Sequence, residues 1–205
     1  MAKLYFRHGT VGSAKTLNLL AVAHNYELQG KRVMVLKPEL DTRFGRELVK
    51  SRAGLQRRAD LLLRADTELD FSRFEGMSCV LVDEAQFVPV PVIEQLRELT
   101  WRCGIPVICY GLRTDFRTRA FEGSRRLLEL ADSIEEIKTT CSLCNAKAIL
   151  NLKHRDGVPT VDGPVIDLGA EEKYLPACHR CYHEQLEKGR ALVAERARVG
   201  VASEA

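Results

Sequence analysis

An α/β fold with a mainly parallel sheet is what this sequence predicts, on three observations. Short apolar runs alternate with amphipathic stretches, the pattern of strand–helix–strand units. A glycine-rich loop separates the first strand candidate from the first helix candidate. Two Cys-x-x-Cys pairs lie in the C-terminal third, beyond the alternating region, and predict a small second domain held by a metal.

Taken in order, "KLYFRH" is a short strand that runs into the glycine loop. Residues 15 to 29 read as a helix closed by Gly30. "RVMVLK" is a second buried strand, and "CVLVDEAQF" carries a third with Asp83 and Glu84 at its C-terminal end. "PVIEQLRELTWRCG" is a helix with Val92, Ile93, Leu96 and Leu99 on its apolar side. "IPVICYG" and "IEEIK" are the fourth and fifth strands. Two stretches stand outside the pattern: the arginine-dense "GLRTDFRTRAFEGS", and residues 154 to 174, rich in Gly, Pro and Asp without a helical period. Loops of such length are commonly functional. The predicted division is 1–139, 140–192 and a frayed tail over 193–205, with "GRALVAERARVGVASEA" read as a charged helix that frays.

The 205 residues are 45% hydrophobic and 29% charged, a globular composition, and the formal charge of +3 gives no large basic footprint for nucleic acid. No apolar run reaches the roughly 20 residues of a membrane span. "MAKLYF" lacks the apolar core of a signal peptide. A cytoplasmic protein with no membrane partner is expected. There, seven cysteines point to metal binding or free thiols rather than disulfides.

Residues 9 to 16, "GTVGSAKT", nearly spell the phosphate-binding pattern G-x-x-x-x-G-K-[ST], with Ala14 in place of the second glycine. Backbone N–H groups in such a loop, and those at the following helix start, face an anion. Lys15 would reach terminal phosphates and Thr16 would offer a hydroxyl to Mg²⁺. A methyl group at residue 14 is tolerable where the local backbone stays in an ordinary region. The bland alternative is a glycine turn before a helix, with no ligand. "VLVDEAQF" supplies the second half of a nucleotide site: a buried strand delivers Asp83 as a Mg²⁺ carboxylate, and Glu84 can serve as a base. Together the two segments predict nucleoside triphosphate binding.

"CSLC" (141–144) and "CHRC" (178–181) would complete a four-thiolate structural Zn²⁺ site. Redox-active dithiols are the rival. His179 reads as a bystander and His183 as a substitute ligand at most. Cys79, Cys103 and Cys109 read as buried small hydrophobes.

"YFRHGTVGSAKT", "LDTRFG", "VLVDEAQF", "CYGLRTDF" and "KYLPACHRCY" resemble, in order and spacing, the thymidine kinases of the cytosolic, zinc-containing type, here a bacterial member. The resemblance covers residues 3 to about 190. It implies a RecA-like P-loop core, a zinc-ribbon domain with a lasso loop, a homotetramer, and transfer of the ATP γ-phosphate to the 5′-hydroxyl of thymidine. It assigns nucleotide contacts to Gly9, Thr10, Val11, Gly12, Ser13, Ala14, Lys15 and Thr16, to Asp41, Thr42 and Arg43, and to Asp83, Glu84, Ala85 and Gln86. Asp83 resembles the Mg²⁺ carboxylate and Glu84 the catalytic base. Leu112, Phe116, Phe121 and Tyr174 resemble the thymine pocket. Val165, Ile166, Asp167, Leu168 and Gly169 resemble the lasso segment whose backbone reads the base. Cys141, Cys144, Cys178 and Cys181 match the metal ligands. Phe116 and Phe121 could instead pack a loop, and Arg113, Arg117 and Arg119 could contact phosphates or simply be solvated. Rival functions are a nucleic-acid ATPase, a kinase for another deoxynucleoside, and an idle zinc-stabilised binding protein if Ala14 disables the loop.

Overall fold

The computed structural model describes residues 1–165 and 173–202. It contains two compact units. The first comprises Met1–Gly9, Ser13–Arg113 and Ala120–Ile137; the second comprises Thr10–Gly12, Thr114–Arg119 and the chain from Lys138.

The first unit is built on a six-stranded sheet. Its strands are β1 (Leu4–His8), β2 (Val33–Pro38), β5 (Leu61–Leu63), β6 (Cys79–Val82), β7 (Val107–Gly111) and β8 (Ser133–Glu136), in the order β5-β2-β6-β7-β1-β8. Every pairing in it is parallel. A separate antiparallel pair is formed by β3 (Leu48–Lys50) and β4 (Gln56–Arg58). Three helices belong to this unit: α1 (Lys15–Leu28), α2 (Val90–Arg102) and α3 (Glu122–Leu130).

The two-residue period of a strand sorts side chains onto the two sheet faces. Val33, Val35, Leu81, Ile108 and Tyr110 meet Leu19, Leu20 and Ala23 of α1 on one face. Phe6, Met34, Leu36, Val80, Val82 and Val107 meet Val92, Ile93, Leu96 and Leu99 of α2, with Leu127 of α3, on the other. Central strands covered on both sides are mostly apolar, which is why β6 and the first four residues of β2 read as hydrophobic runs. Gly30, at φ +68, ends α1: its N–H reaches the Glu27 carbonyl and the Lys31 N–H reaches that of Tyr26, the paired bonds of a left-handed helix stop.

The second unit carries the antiparallel sheet β10-β9-β11, formed by β9 (Leu150–Arg155), β10 (Val158–Thr160) and β11 (Tyr174–Ala177), and helix α4 (His179–Ala202). Its core is Leu150, Leu152, Ala177, Tyr182 and Leu186 with three of the cysteines.

Three sequence expectations need correction. The stretch from 154 begins as a β-hairpin, with Asp156 at φ 50 and Gly157 at φ 76 forming the two-residue turn between β9 and β10. A helix, α3, follows Phe121 where only an arginine-rich loop was expected. The charged C-terminal segment is helical, as its sequence predicts, and continues α4 as far as Ala202. Cys103 is exposed at the end of α2, whereas Cys79 and Cys109 are buried as expected. Among the described residues, no helix is long and apolar enough to cross a membrane.

Candidate active site

In parallel sheets, ligands gather where strands end at their carboxyl edge. The first unit follows that rule. After β1 the chain enters α1 with Lys15 and Thr16, and the segments after β2, β6 and β7 carry Asp41 and Arg43, Asp83 to Gln86, and Leu112.

After β1 the chain turns at Gly9, where a Cβ would lie 2.6 Å from the Ile137 carbonyl oxygen. Gly12 follows at φ +76. Ala14 sits at φ 62, ψ 27, in the left-handed region that favours glycine, and its carbonyl accepts the first helical bond from Asn18 at 2.9 Å. The expectation that alanine holds an ordinary backbone here is thus overturned. The loop keeps the shape a glycine would give it, and its exposed methyl meets the strain that a Cβ incurs there.

Lys15 is buried, with Nζ 3.4 Å from the Ser13 hydroxyl. Burial pushes its ammonium down to about 8, against the pull of Glu84 and Asp83. Thr16 Oγ1 lies 3.1 and 3.2 Å from the two oxygens of Asp83. Burial, reinforced by the Glu84 charge, pushes the Asp83 carboxyl up to about 7. A hydroxyl beside a buried carboxylate, next to a buried ammonium, is a donor set that fits a divalent cation arriving with a polyphosphate.

Glu84 has φ 48, ψ 40, a second non-glycine residue in the left-handed region. Such strain persists only where surrounding contacts impose it. Those contacts are specific. Arg43 Nη2 sits 2.5 Å from Glu84 Oε1, and Gln86 Nε2 lies 2.5 Å from Glu84 Oε2. Gln86 Oε1 in turn accepts from the Leu112 amide at 2.9 Å. Gly111 permits this, because a Cβ there would lie 2.8 Å from Gln86 Oε1. Arg43 also bonds Asp41 through Nε at 2.6 Å. Burial disfavours the Arg43 charge, but Glu84 and Asp41 outweigh it and hold the guanidinium pKa above its ordinary value. Burial likewise opposes ionisation of Asp41, but Arg43 and Lys37 hold its carboxyl below the usual range.

The first unit therefore brings Lys15, Thr16, Arg43, Asp83, Glu84 and Gln86 into one charged cluster. Thr42 is exposed beside it, and Ala85 is buried under it. Phe121 stacks edge-on to Phe87 at 5.6 Å. Two residues escaped sequence reasoning. Lys37 is a buried lysine inside an apolar run, and Arg52, from the β3–β4 turn, is near enough to Lys15 to lower its pKa. Nothing in the local sequence marks either, since their partners arrive from elsewhere in the chain.

The second unit holds the remaining predicted residues. Val11 donates its amide to Asn151 Oδ1 at 2.8 Å, and Asn151 Nδ2 donates to the Thr114 carbonyl at 3.1 Å. Phe116 and Tyr174 face each other with centroids 6.1 Å apart, and Lys153 Nζ lies 4.4 Å from the Phe116 ring. Arg117 donates to the Val161 and Gly163 carbonyls, so its guanidinium tethers that segment rather than being simply solvated. Val165 is half-buried; Ile166, Asp167, Leu168 and Gly169 lie outside the described residues.

Cys141, Cys144, Cys178 and Cys181 place their four sulfurs within 4.8 Å of one another. The Cys144 and Cys178 sulfurs are 3.7 Å apart, close to the ~3.8 Å edge of a tetrahedron with Zn–S bonds of about 2.3 Å. The amides of Leu143, Ala146 and Cys181 point at cysteine sulfurs, an arrangement that stabilises thiolates. The donor set fits a closed tetrahedral metal site, and neither His179 nor His183 joins it.

Comparison with known proteins agrees with this geometry. The family described as thymidine kinase matches residues 2–182. The chain is similar to a thymidine kinase of Streptococcus pyogenes serotype M28 (strain MGAS6180), with 41% identity over 187 residues, 89% of this chain and 97% of that one. It is similar to those of Streptococcus gordonii at 43% and Lactiplantibacillus plantarum at 44%, each over 185 residues, 89% of this chain and 96% of the relative. Among solved structures, it shares a loose likeness with part of the Pif1 helicase from Candida albicans (TM-score 0.41, 13% identity, 66% of this chain and 36% of that one), from which nothing follows. On the match across residues 2–182 and these relatives, the chain belongs to the thymidine kinase family.

Proposed function

We propose that this protein transfers the γ-phosphate of ATP to the 5′-hydroxyl of thymidine, giving thymidine monophosphate and ADP for DNA synthesis. The observation that carries the reading is the cluster of Lys15, the Thr16–Asp83 pair and an Arg43-braced Glu84 in a chain of this family. Lys15 and the loop amides would hold the triphosphate. Thr16 and Asp83 would hold the accompanying Mg²⁺, which neutralises phosphate charge when bound. Arg43 would supply positive charge against the negative charge on the transferring group. Glu84, its two oxygens fixed by Arg43 and Gln86, accepts the 5′-hydroxyl proton. Phe116 and Tyr174 would flank the base, and the four cysteines would hold a structural Zn²⁺. The family resemblance further implies a cytoplasmic homotetramer. Offering thymidine, deoxyuridine, deoxycytidine, deoxyadenosine and deoxyguanosine with labelled ATP tests the acceptor: thymidine is expected to give the highest kcat/KM, and preference for another nucleoside would reassign it.

Ala14→Gly is expected to leave KM for ATP within about threefold, because the backbone already has the glycine conformation. Relief of the left-handed strain, partly offset by the greater freedom of glycine in the unfolded chain, should stabilise by up to about 1 kcal/mol. ATP kinetics and thermal melts check both. A wild type that fails to bind ATP, rescued by glycine, would mean the methyl blocks the loop.

The raised Asp83 pKa has a definite sign. Between its ordinary 3.8 and about 7 the folded protein keeps a proton that the unfolded chain releases. Its contribution to stability is therefore greatest at low pH and is lost as pH rises to 7. Asp83→Asn should make the ligand-free protein more stable than wild type at pH 7.5, by on the order of a few kcal/mol, and less so at pH 5. Urea midpoints at the two pH values measure this; equal differences at both would remove Asp83 as the source.

A further inference from the structure

We propose that Lys37 is a positioning residue for the transfer step, its ammonium fixing Asp41, which in turn holds Arg43 against Glu84. The inference rests on the reading of Glu84 as the base.

Lys37 lies on β2, two residues beyond Val35 and four beyond Val33, on the sheet face that those valines turn towards α1. An apolar residue would suit that face. A lysine that is 1% exposed is costly there unless it is fully paired. It is paired: Nζ lies 3.1 Å from Asp41 Oδ2, 3.0 Å from the Leu48 carbonyl and 3.4 Å from the Gly45 carbonyl. An ammonium has three donors, and all three are used. They close the loop between β2 and β3 from both ends and clamp the carboxylate at its centre.

Asp41 then passes the constraint on. Its Oδ1 takes Arg43 Nε at 2.6 Å, and its Oδ2, already bound to Lys37, takes Arg43 Nη2 at 3.2 Å. The same Nη2 reaches Glu84 Oε1 at 2.5 Å. Charges alternate along the series Lys37, Asp41, Arg43, Glu84. Arg43 is shared between two carboxylates, and its position is a balance between them. Removing the Lys37 charge leaves Asp41 with Arg43 as its one remaining cation in this series. Arg43 is then drawn towards Asp41, and Glu84 loses the partner that orients it. Removing one member of a buried ion pair destabilises the fold because the other charge stays buried; Asp41 keeps Arg43 as a partner, so the consequence falls on geometry as well as on stability.

Steady-state kinetics of the full chain with ATP and thymidine test this in Lys37→Met, Asp41→Asn and the double variant. Lys37→Met is expected to lower kcat by at least about tenfold with both KM values within about threefold, and Lys37→Arg to recover part of the loss. In the Asp41→Asn background the same change should cost less than about twofold more, because its route is already cut. Unchanged kcat in Lys37→Met, a raised KM with kcat kept, or an undiminished loss in the Asp41→Asn background would each overturn the proposal. If Lys37→Met loses its cooperative melt, Lys37→Gln, which keeps a donor for the two carbonyls, carries the same cycle. A fully active Glu84→Gln would instead refute the reading of the base. An inactive Glu84→Gln beside an untouched Lys37→Met refutes the Lys37 role alone.

Discussion

Glu84→Gln is expected to lose about 10²–10⁴-fold in kcat while KM for ATP and thymidine stays within about threefold. The substitution keeps the shape of the side chain and removes its charge, and with it the ability to take a proton. Arg43 and Gln86 hold the two Glu84 oxygens at 2.5 Å each, so the group is aimed before any substrate arrives. The strained φ of 48 has the same meaning, since a less constrained glutamate would relax out of it. The amide can still meet Arg43 through its oxygen, so folding and nucleotide binding should survive. Rapid-quench measurement of a single turnover isolates the chemical step from product release. A variant with near-normal single-turnover rates would remove Glu84 from proton transfer.

Replacing Cys178 by serine, or stripping the metal with a chelator, is expected to unfold the second unit. That unit has a small core in which Cys141, Cys178 and Cys181 are themselves core members beside Leu150, Leu152 and Tyr182. Small domains bury too little apolar surface to stand alone, and structural zinc supplies on the order of 10–16 kcal/mol in comparable sites. Loss of one ligand should therefore abolish hydrogen-exchange protection along β9, and with it the Asn151 bond to the Val11 amide in the phosphate loop. The purified protein should carry one zinc per chain and release four reactive thiols with it. A metal-free preparation with a full thermal transition, or a Cys178→Ser variant that melts with wild type, would assign the four sulfurs another role.

The parts of the fold legible in the sequence are those where local pattern and tertiary demand coincide. β6 and β7 are apolar runs because both sheet faces are covered, β2 is apolar but for Lys37, β1 alternates buried with half-buried residues, and α2 shows its buried face at helical spacing. The glycine loop and the acid-terminated strand likewise announce themselves locally. β3, β4 and β5 do not: each has three residues, and "QRR" has no apolar member. Their strand character comes from pairing alone. The β9–β10 turn was readable in "DG", yet the surrounding Gly and Pro masked it as loop. Cys103 shows the opposite failure, a residue type usually buried that a helix end leaves in water.

The site divides in the same way. Lys15, Thr16, Asp83 and Glu84 stand in recognisable motifs, and the structure places them together. What the motifs omit is how those groups are held. The left-handed backbone of Ala14 and Glu84, the Gln86 bridge to the Leu112 amide, and the buried Lys37 depend on partners up to 41 positions away, as with Arg43 and Glu84. Sequence pattern reports the groups proposed to carry the chemistry because chemistry fixes their type. It is silent on the braces, because many residue types could serve.

Phosphorus NMR of the full chain with ATP, Mg²⁺ and thymidine observes phosphoryl transfer from ATP to a sugar hydroxyl directly. Thymidine 5′-monophosphate and ADP are expected to rise together in equal amounts, with little inorganic phosphate. ADP and free phosphate appearing at the same rate with or without thymidine, and no nucleoside monophosphate, would contradict that transfer.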